Sequence, residues 1–552
     1  MSRKHEDKQS EKARRGVGIA RSLQLFFRNL RLYYRICREA FYSLILSSFF
    51  SAVSPYVTIY LTALLVNELV TRRNFHALMM YVALILGTTA VLKLVGAVMH
   101  VWKNYSNDLL VVKKSVLFME KRLSLDYVDI DSQETYDLLT RIEQNENFLG
   151  FGMYMSYQNL EALLGAVFQV LGGVVLSVTL FTTVVPAGSE FDFLDQPLIV
   201  IGVILGMLMF TFLSPYLYGQ AESYWTKYNE IGTMGNRYFG FFGFMGTRPA
   251  RALDIRMYEQ HDFCKYYIGK EDAFGVDSKI ANYAKGPMGM FAALSEMMSV
   301  ALLAVIYTYT CLKAYAGAFG IGEVTQYIGA TTALFIGLQE LLKSLTLIRH
   351  NGEFIDLAFR FLDIPNKMYQ GSLTTEKRTD SNYEIEFRNV SFKYPGTEDY
   401  ALRNVSIKFH CGSKLAVVGM NGSGKTTFIK LLCRLYDPDE GEILLNGINI
   451  RKYNYREYLD IFSVVFQDYQ IFSFTLGDNI AMAENYDKDA VKDVLERVGF
   501  GERLKKLPKG TDTYCNKTLD DEGVEFSGGE SQKIAIARAL YKNSPFIILD
   551  EP

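Results

Sequence analysis

The sequence predicts a multidomain chain: an all-α six-helix transmembrane domain followed by an α/β phosphate-loop (P-loop) domain. Three observations carry that prediction. Six apolar runs fall in the first two thirds of the 552 residues. The connections between them alternate between short and very long. The last third carries a glycine-rich loop after an apolar segment, and an apolar run that ends in two carboxylates, Asp550 and Glu551.

Hydrophobic residues make up 49% of the chain and charged residues 21%, a balance that leans toward membrane proteins. The net charge of −2 shows no basic excess of the kind nucleic acid would select. The six cysteines are scattered without a C-x-x-C pair, which excludes a disulfide framework and a cysteine zinc site. The histidines form no H-E-x-x-H or similar ligand spacing.

Residues 1–38 read as a cytosolic tail and an amphipathic elbow helix that starts near Ile19. Arg21, Arg28, Arg31, Arg35 and Arg38 fall on one arc at helical spacing, as expected of a helix lying on an anionic membrane surface. Residues 39–350 read as the six-helix domain. Its apolar runs are Phe41–Asn67, Ala77–Trp102, Ala162–Ser189, Pro197–Ala221, Gly286–Leu312 and a weaker Ile321–Thr346. A span needs about 20 apolar residues, and the first five runs exceed that.

The two long connections, Lys103–Glu161 and Glu222–Lys285, hold six and nine Lys or Arg; the loop Pro186–Gln196 has none and three acids. The positive-inside rule therefore puts the N-terminus and both long connections in the cytosol of a multi-pass plasma-membrane protein. Asn104–Leu125 and Ile255–Ile280 carry helical patterning, so the membrane helices are expected to continue into the cytosol. Turns are expected near Tyr127–Tyr136 and Arg248–Arg256. Glu296 sits inside the fifth run, as a cargo contact or a packing residue satisfied by a neighbour. A linker is drawn at 351–382, polar from Asp363 onward. Residues 383–552 read as the α/β domain, with strands at Tyr383–Phe387 and Lys414–Val418.

Gly419-Met-Asn421-Gly422-Ser423-Gly424-Lys425-Thr426 matches G-x-x-x-x-G-K-[ST], the Walker A loop, and stands between an apolar segment and a helical one that includes Thr427. Its glycines let backbone N–H groups turn toward phosphate oxygens, and the helix N-terminus adds positive potential. Lys425 is expected to reach the β- and γ-phosphates of ATP, and Thr426 to ligate Mg2+. Phe546-Ile-Ile-Leu-Asp-Glu551 is the complementary half, expected as a buried strand. Asp550 would hold the metal's water shell, and Glu551 would act as general base on the attacking water.

Between these motifs lies Phe526-Ser527-Gly528-Gly529-Glu530, followed by Ser-Gln-Lys-Ile-Ala-Ile-Ala-Arg-Ala-Leu540. This resembles the signature motif and helix of ATP-binding-cassette transporters, with Phe526 for the usual Leu and Glu530 for the usual Gln. Tyr394 resembles the aromatic that stacks on adenine. Gln467 resembles the glutamine that meets Mg2+ and relays to the membrane domain. Ile471–Ile480 resembles the exporter form of the stretch that follows.

The resemblance implies an ATPase-driven exporter half-transporter that works as a homo- or heterodimer. Each ATP would be sandwiched between one subunit's loop and the other's Ser527, Gly528 and Gly529. It also implies a further loop and a switch histidine beyond Pro552, so the sequence reads as C-terminally truncated. The expected partners are a second subunit, membrane lipid and a peptide, lipid or drug-like cargo, with no nucleic acid. The rival readings are an ATP-gated channel or a regulatory membrane protein.

Overall fold

The computed structural model describes residues 18–551 except 187, 244, 246–248, 271–274, 369–370 and 376–382. The expected tail, part of the linker, Arg248 and Pro552 lie outside the described residues. Internal contacts divide the chain into two units: Met1–Lys121 with Asp137–Asp363, and Arg122–Tyr136 with Ile364–Pro552.

The chain opens with α1 (Ile19–Ile36), α2 (Arg38–Thr71) and α3 (Phe75–Ser124). After α4 (Tyr127–Ile130) and α5 (Gln133–Gln144) come α6 (Met153–Thr182), α7 (Pro197–Gly243), α8 (Pro249–Met257), α9 (His261–Lys270) and α10 (Lys279–Lys285). α11 (Pro287–Tyr315) and α12 (Ile321–Leu362) complete the helical unit. Among the described residues, 6 helical segments are long and apolar enough to cross a membrane, in line with the six runs. At 1.5 Å per residue, the 50-residue α3 is about 75 Å long, more than twice a bilayer's hydrocarbon core.

The helical unit differs from expectation at four places. The third span is Met153–Thr182, because the chain leaves the helix at Thr183, just before Pro186. α12 runs to Leu362, through the first part of the linker drawn at 351–382; buried Phe354, Ile355, Ala358, Phe359 and Phe361 hold this stretch as packed helix. The helix expected over Ile255–Ile280 breaks after Met257, where Glu259 adopts a left-handed φ of 49° that no helix interior accepts. The elbow helix does not give its whole basic face to a membrane surface. Arg21 pairs with Asp356 at 3.4 Å and Arg28 with Asp363 at 2.6 Å, and Arg28 also lies 3.9 Å over the Phe359 ring.

α6 and α12 approach closely enough that their glycines matter. A Cβ on Gly173 would lie 2.7 Å from Leu334 Cβ and 2.8 Å from its Cα. Small residues give membrane helices this contact, since apolar burial alone does not drive them together in lipid. Several buried polar groups are paired between segments of this unit. Asn351 Nδ2 donates to Gly152 O at 2.9 Å, and Asn159 Nδ2 donates to Ser344 O at 3.0 Å. Lys313, fully buried, donates to Leu180 O and Thr183 O at 3.1 and 2.6 Å and pairs with Asp195 at 3.0 Å. One acid of the Pro186–Gln196 loop thus neutralises a helix lysine.

In the second unit, β1 (Glu384–Lys393), β2 (Tyr400–His410), β3 (Glu440–Leu445) and β4 (Ile448–Asn449) form an antiparallel sheet in the order β2-β1-β3-β4. α13 (Lys425–Leu432) lies against it, with Phe428 stacked on Phe387 at 4.6 Å between ring centroids. α14 (Tyr455–Asp460) leads into β5 (Phe462–Val465), which pairs in parallel with β6 (Phe546–Leu549). A helical lobe of α15 (Leu476–Ala481), α16 (Lys488–Arg497), α17 (Gly501–Leu504) and α18 (Gly528–Lys542) packs around Leu476, Ile480, Val491, Leu495, Phe500 and Ile534.

The strand expected at Lys414–Val418 does not form. A strand exists only through ladder bonds, and this extended segment has no strand partner among the described residues; Val418 is 91% exposed. β6 is likewise not fully buried. It pairs on one edge, and Ile547 and Leu549 remain exposed.

The first turn expected near Tyr127 belongs to this unit rather than to the helical one. Tyr127 meets the Tyr436 ring edge-on at 5.6 Å, Asp131 accepts from Tyr436 Oη, and Asp126 accepts from the backbone N–H groups of Lys367 and Met368. Burial, and then the Asp131 carboxylate, push the Tyr436 hydroxyl well above its usual range and keep it a donor.

Gly173→Val should destabilise the helical unit by about 1–3 kcal/mol, the usual cost of overpacking. Thermal unfolding in detergent should fall accordingly, while Gly165→Ala, with open space at its Cβ, should leave it nearly unchanged.

Candidate ATPase site

The phosphate loop leaves the extended segment at Gly419 and enters α13 at Lys425. Gly424 has a φ of 92°, and a Cβ there would lie 2.7 Å from Ala401 O and 2.6 Å from Leu402 Cδ2. Only glycine fits both the conformation and the approach. Gly422 also takes a left-handed φ of 81°, and Asn421 and Ser423 are exposed at the loop's crest. Lys425 Nζ donates to Gly419 O at 2.9 Å and Met420 O at 3.3 Å, folding back over the loop it serves.

The parallel register of β5 and β6 delivers the opposing side chains. Val465 is opposite Leu549, so Gln467 and Glu551 leave the two strands side by side. Gln467 Nε2 donates to Glu551 Oε2 at 2.7 Å. Glu551 Oε1 lies 3.9 Å from Lys425 Nζ. Thr426 Oγ1 donates to Asp550 Oδ1 at 3.4 Å. Asp550 is buried, and its other oxygen has no protein partner.

A hydroxyl oxygen beside a buried carboxylate with an unused oxygen is a hard-cation donor set. It fits Mg2+, which takes one or two protein oxygens and fills its octahedron with phosphate and water. Lys425, Asp550 and Glu551 also border a cavity of about 400 Å3 that runs between Leu415–Val417 and Ile547–Leu549.

Tyr394 donates to or accepts from Thr427 Oγ1 at 3.0 Å, which fixes it at the loop's flank. Its ring meets Phe392 and Tyr436 edge-on, and Lys430 lies 5.5 Å from it. The structure therefore brings together Tyr394, Lys425, Thr426, Thr427, Gln467, Asp550 and Glu551. Ser527, Gly528 and Gly529 do not join them: they share no hydrogen bond or ion pair with the loop among the described residues and do not line its cavity.

The signature segment is a helix N-terminus. Ser527 caps α18, and Glu530 reaches back to it in a capping box. Glu530 therefore has a local role, one that glutamine could also fill. The pattern S-x-x-E was present in the sequence and would have disclosed it.

The profile of the ABC transporter family matches residues 402–552. The chain is 26% identical to the subtilin transport ATP-binding protein SpaT of Bacillus subtilis, over 95% of this chain and 82% of that protein. It is 36% identical to the ATP-dependent lipid A-core flippase of Escherichia coli K12 over 248 residues, which are 43% of this chain and 41% of that one. Residues 402–552 thus carry an ABC transporter domain. In fold it is similar to a bacterial Atm1-family ABC exporter with ATP bound, at a TM-score of 0.66 and 19% identity, covering 93% of this chain and 85% of that one. Six helices long and apolar enough to cross a membrane thus precede an ABC transporter domain on one chain, in the fold of an ABC exporter.

Two residues of the site's frame stood inside recognised segments without an assigned role. Asn479, fully buried, accepts from Phe472 N at 2.8 Å and donates to Phe472 O, Phe474 O and Thr475 O. It closes the Ile471–Ile480 loop on itself. Arg538 of α18 donates to Asn479 O at 2.8 Å and Gln470 O at 3.1 Å, which locks the signature helix to the segment after Gln467. Burial lowers the Arg538 pKa from its ordinary value.

Asn479→Ala should cost about 2–4 kcal/mol, because a buried N–H and several carbonyls lose their partner together. Limited proteolysis between residues 470 and 480 should accelerate, and the thermal midpoint should drop.

Proposed function

We propose that this chain drives export of an amphipathic peptide, lipid or drug-like cargo by hydrolysing ATP at the Lys425–Glu551 site, acting as one of two subunits. The observation that carries the reading is the convergence of Lys425, Thr426, Asp550, Gln467 and Glu551 through contacts of 2.7–3.9 Å. Lys425 exchanges its loop carbonyls for β- and γ-phosphate oxygens. Loop N–H groups from Gly419 to Thr426 take the remaining oxygens. Tyr394 offers its ring to adenine. Thr426 and Asp550 would hold Mg2+, which would neutralise charge building on the phosphates. Gln467 orients the Glu551 carboxylate, which accepts a proton from water as its oxygen attacks the γ-phosphorus and ADP departs.

Two subunits are required in this reading because the signature turn stands apart from its own loop. Ser527, Gly528 and Gly529 of one subunit cover the ATP held by the other. The 18-residue apolar window of α3, in which none of the residues is buried, is a surface a second subunit would cover. The basic long connections support a cytosolic N-terminus and ATPase domain in the plasma membrane.

Cargo class is supported by the names of the relatives, one for subtilin transport and one for lipid A-core flipping. It is also supported by Glu296, which is exposed on α11 beside Ala293, Met297 and Val300 and has no polar partner among the described residues. A carboxylate on a membrane helix is costly against lipid and cheap in a wet cavity.

Glu551→Gln should slow ATP hydrolysis by ~10²–10⁴-fold, the usual worth of a general base, with ATP binding retained. Lys425→Ala should abolish nucleotide binding. Steady-state ATPase rates and fluorescent-nucleotide titration of the detergent-purified chain check both, and normal turnover in the first variant removes Glu551 as the base. Glu296→Gln should reduce cargo-stimulated ATPase while leaving the unstimulated rate near wild type; equal stimulation would take Glu296 out of the cargo path.

A further inference from the structure

The N-terminus of α18 is an anion-attracting surface that already has an anion in it. Gly528 and Gly529 are exposed, and nothing lies within 4 Å of where their Cβ atoms would be. Such an open pair of first-turn amides favours negative charge. Beside it, Glu530 Oε2 accepts from Ser527 N at 2.8 Å and from Ser527 Oγ at 2.9 Å. The same hydroxyl accepts from Glu530 N at 3.4 Å. Glu530 Oε1 lies 2.8 Å from Arg503 Nε, a close ion pair with α17. The Ser527 N–H first, and then the Ser527 hydroxyl and Arg503, hold the carboxylate below its usual range.

We infer that Glu530 is an internal competitor for the phosphate that the signature turn binds, and that Arg503 sets how strongly it competes. The inference rests on the proposed sandwich, in which this turn meets ATP held by a second subunit. Ser527 has one hydroxyl proton, and Glu530 takes it. For Ser527 to donate to a phosphate oxygen, that bond must break, while a negative charge stays within one helical turn of the incoming phosphate. Both effects weaken closure of the two subunits on ATP. Arg503 opposes the second effect by neutralising the carboxylate from the side.

Glutamine at 530 would keep an oxygen for the Ser527 N–H and hydroxyl and would lose the charge, so charge is the variable this position controls. Ordinary helix capping alone predicts nothing about nucleotide, and the two accounts separate on kinetics.

The test uses the full chain in detergent or nanodiscs. E530Q should lower the KM for ATP by about three- to tenfold, the scale of one partly screened charge near a phosphate, with kcat changed less than twofold. R503A should raise KM by a similar factor. In the double variant KM should fall to the E530Q value, because Arg503 acts through the carboxylate. An unchanged KM in E530Q, or an R503A effect that persists beside E530Q, overturns the inference. S527A separates this failure from a failure of the sandwich itself. If S527A raises KM and E530Q does nothing, only the role of Glu530 falls. If S527A also leaves KM and kcat untouched, the signature turn does not meet ATP, and both readings fall. Thermal midpoints of E530Q and R503A should stay close to wild type, whereas S527A loses the cap hydroxyl and should fall slightly; a KM change in E530Q that tracks a lost midpoint would mark Glu530 as a cap and nothing more.

Discussion

The parallel pairing of β5 and β6 is the constraint on which the ATPase site depends. Four consecutive pairs, from Phe462–Phe546 to Val465–Leu549, fix the register. Gln467 and Glu551 then emerge together, and Asp550 arrives beside Thr426. A slip of one residue would turn every β6 side chain to the opposite face and remove the carboxylates from the loop. The loop is anchored independently, by Phe428 stacked on Phe387 and by the close seat of Gly424 on Ala401 and Leu402. The site is thus held between an antiparallel sheet and a parallel pair that share a core containing Phe387, Phe428, Tyr436 and Phe462.

How much was legible in the sequence follows from the range of the physics involved. The phosphate loop was legible because its demands are local: glycines at left-handed positions, a lysine at the helix start, apolar residues behind. The six spans were legible because hydrocarbon imposes a length on an uninterrupted apolar run. Pairings between distant residues were not. Arg28 and Asp363 are 335 positions apart, and helical spacing showed that the arginines share an arc without showing what the arc faces. Lys313 and Asp195 are a similar case. Nor does spacing disclose that Arg122–Tyr136 packs into the ATPase unit, since that depends on Tyr436 and on the backbone of Lys367 and Met368, which are distant in the chain.

Lys414–Val418 and Glu530 mark opposite ways in which local reading falls short. The first has strong strand propensity, yet a strand is a relation between two backbones, and propensity cannot supply the second one. The second was visible only as a departure from a motif. Its capping box, like the one Thr475 makes with Asp478, follows a pattern that sequence alone contains. Helix physics gives Glu530 a capping role that glutamine could share, so charge alone separates the two residues at this position.

The two parts of the ATPase unit that the proposed sandwich turns toward phosphate share a property that bears on how a transport cycle can run. Lys425 is satisfied by Gly419 O, Met420 O and Glu551, and the α18 N-terminus is satisfied by Glu530. In the proposed reading, binding phosphate is therefore an exchange of partners at both places, and its net free energy is a difference between two well-bonded states. That suits a machine that must release its product. A nucleotide shifts a conformational equilibrium only by its differential affinity for the two states, and excess affinity common to both would slow the reset without strengthening closure. Internal partners of this kind subtract from the common part. In the proposed two-subunit reading they leave the interactions that form only when two cassettes meet to decide the direction of the cycle.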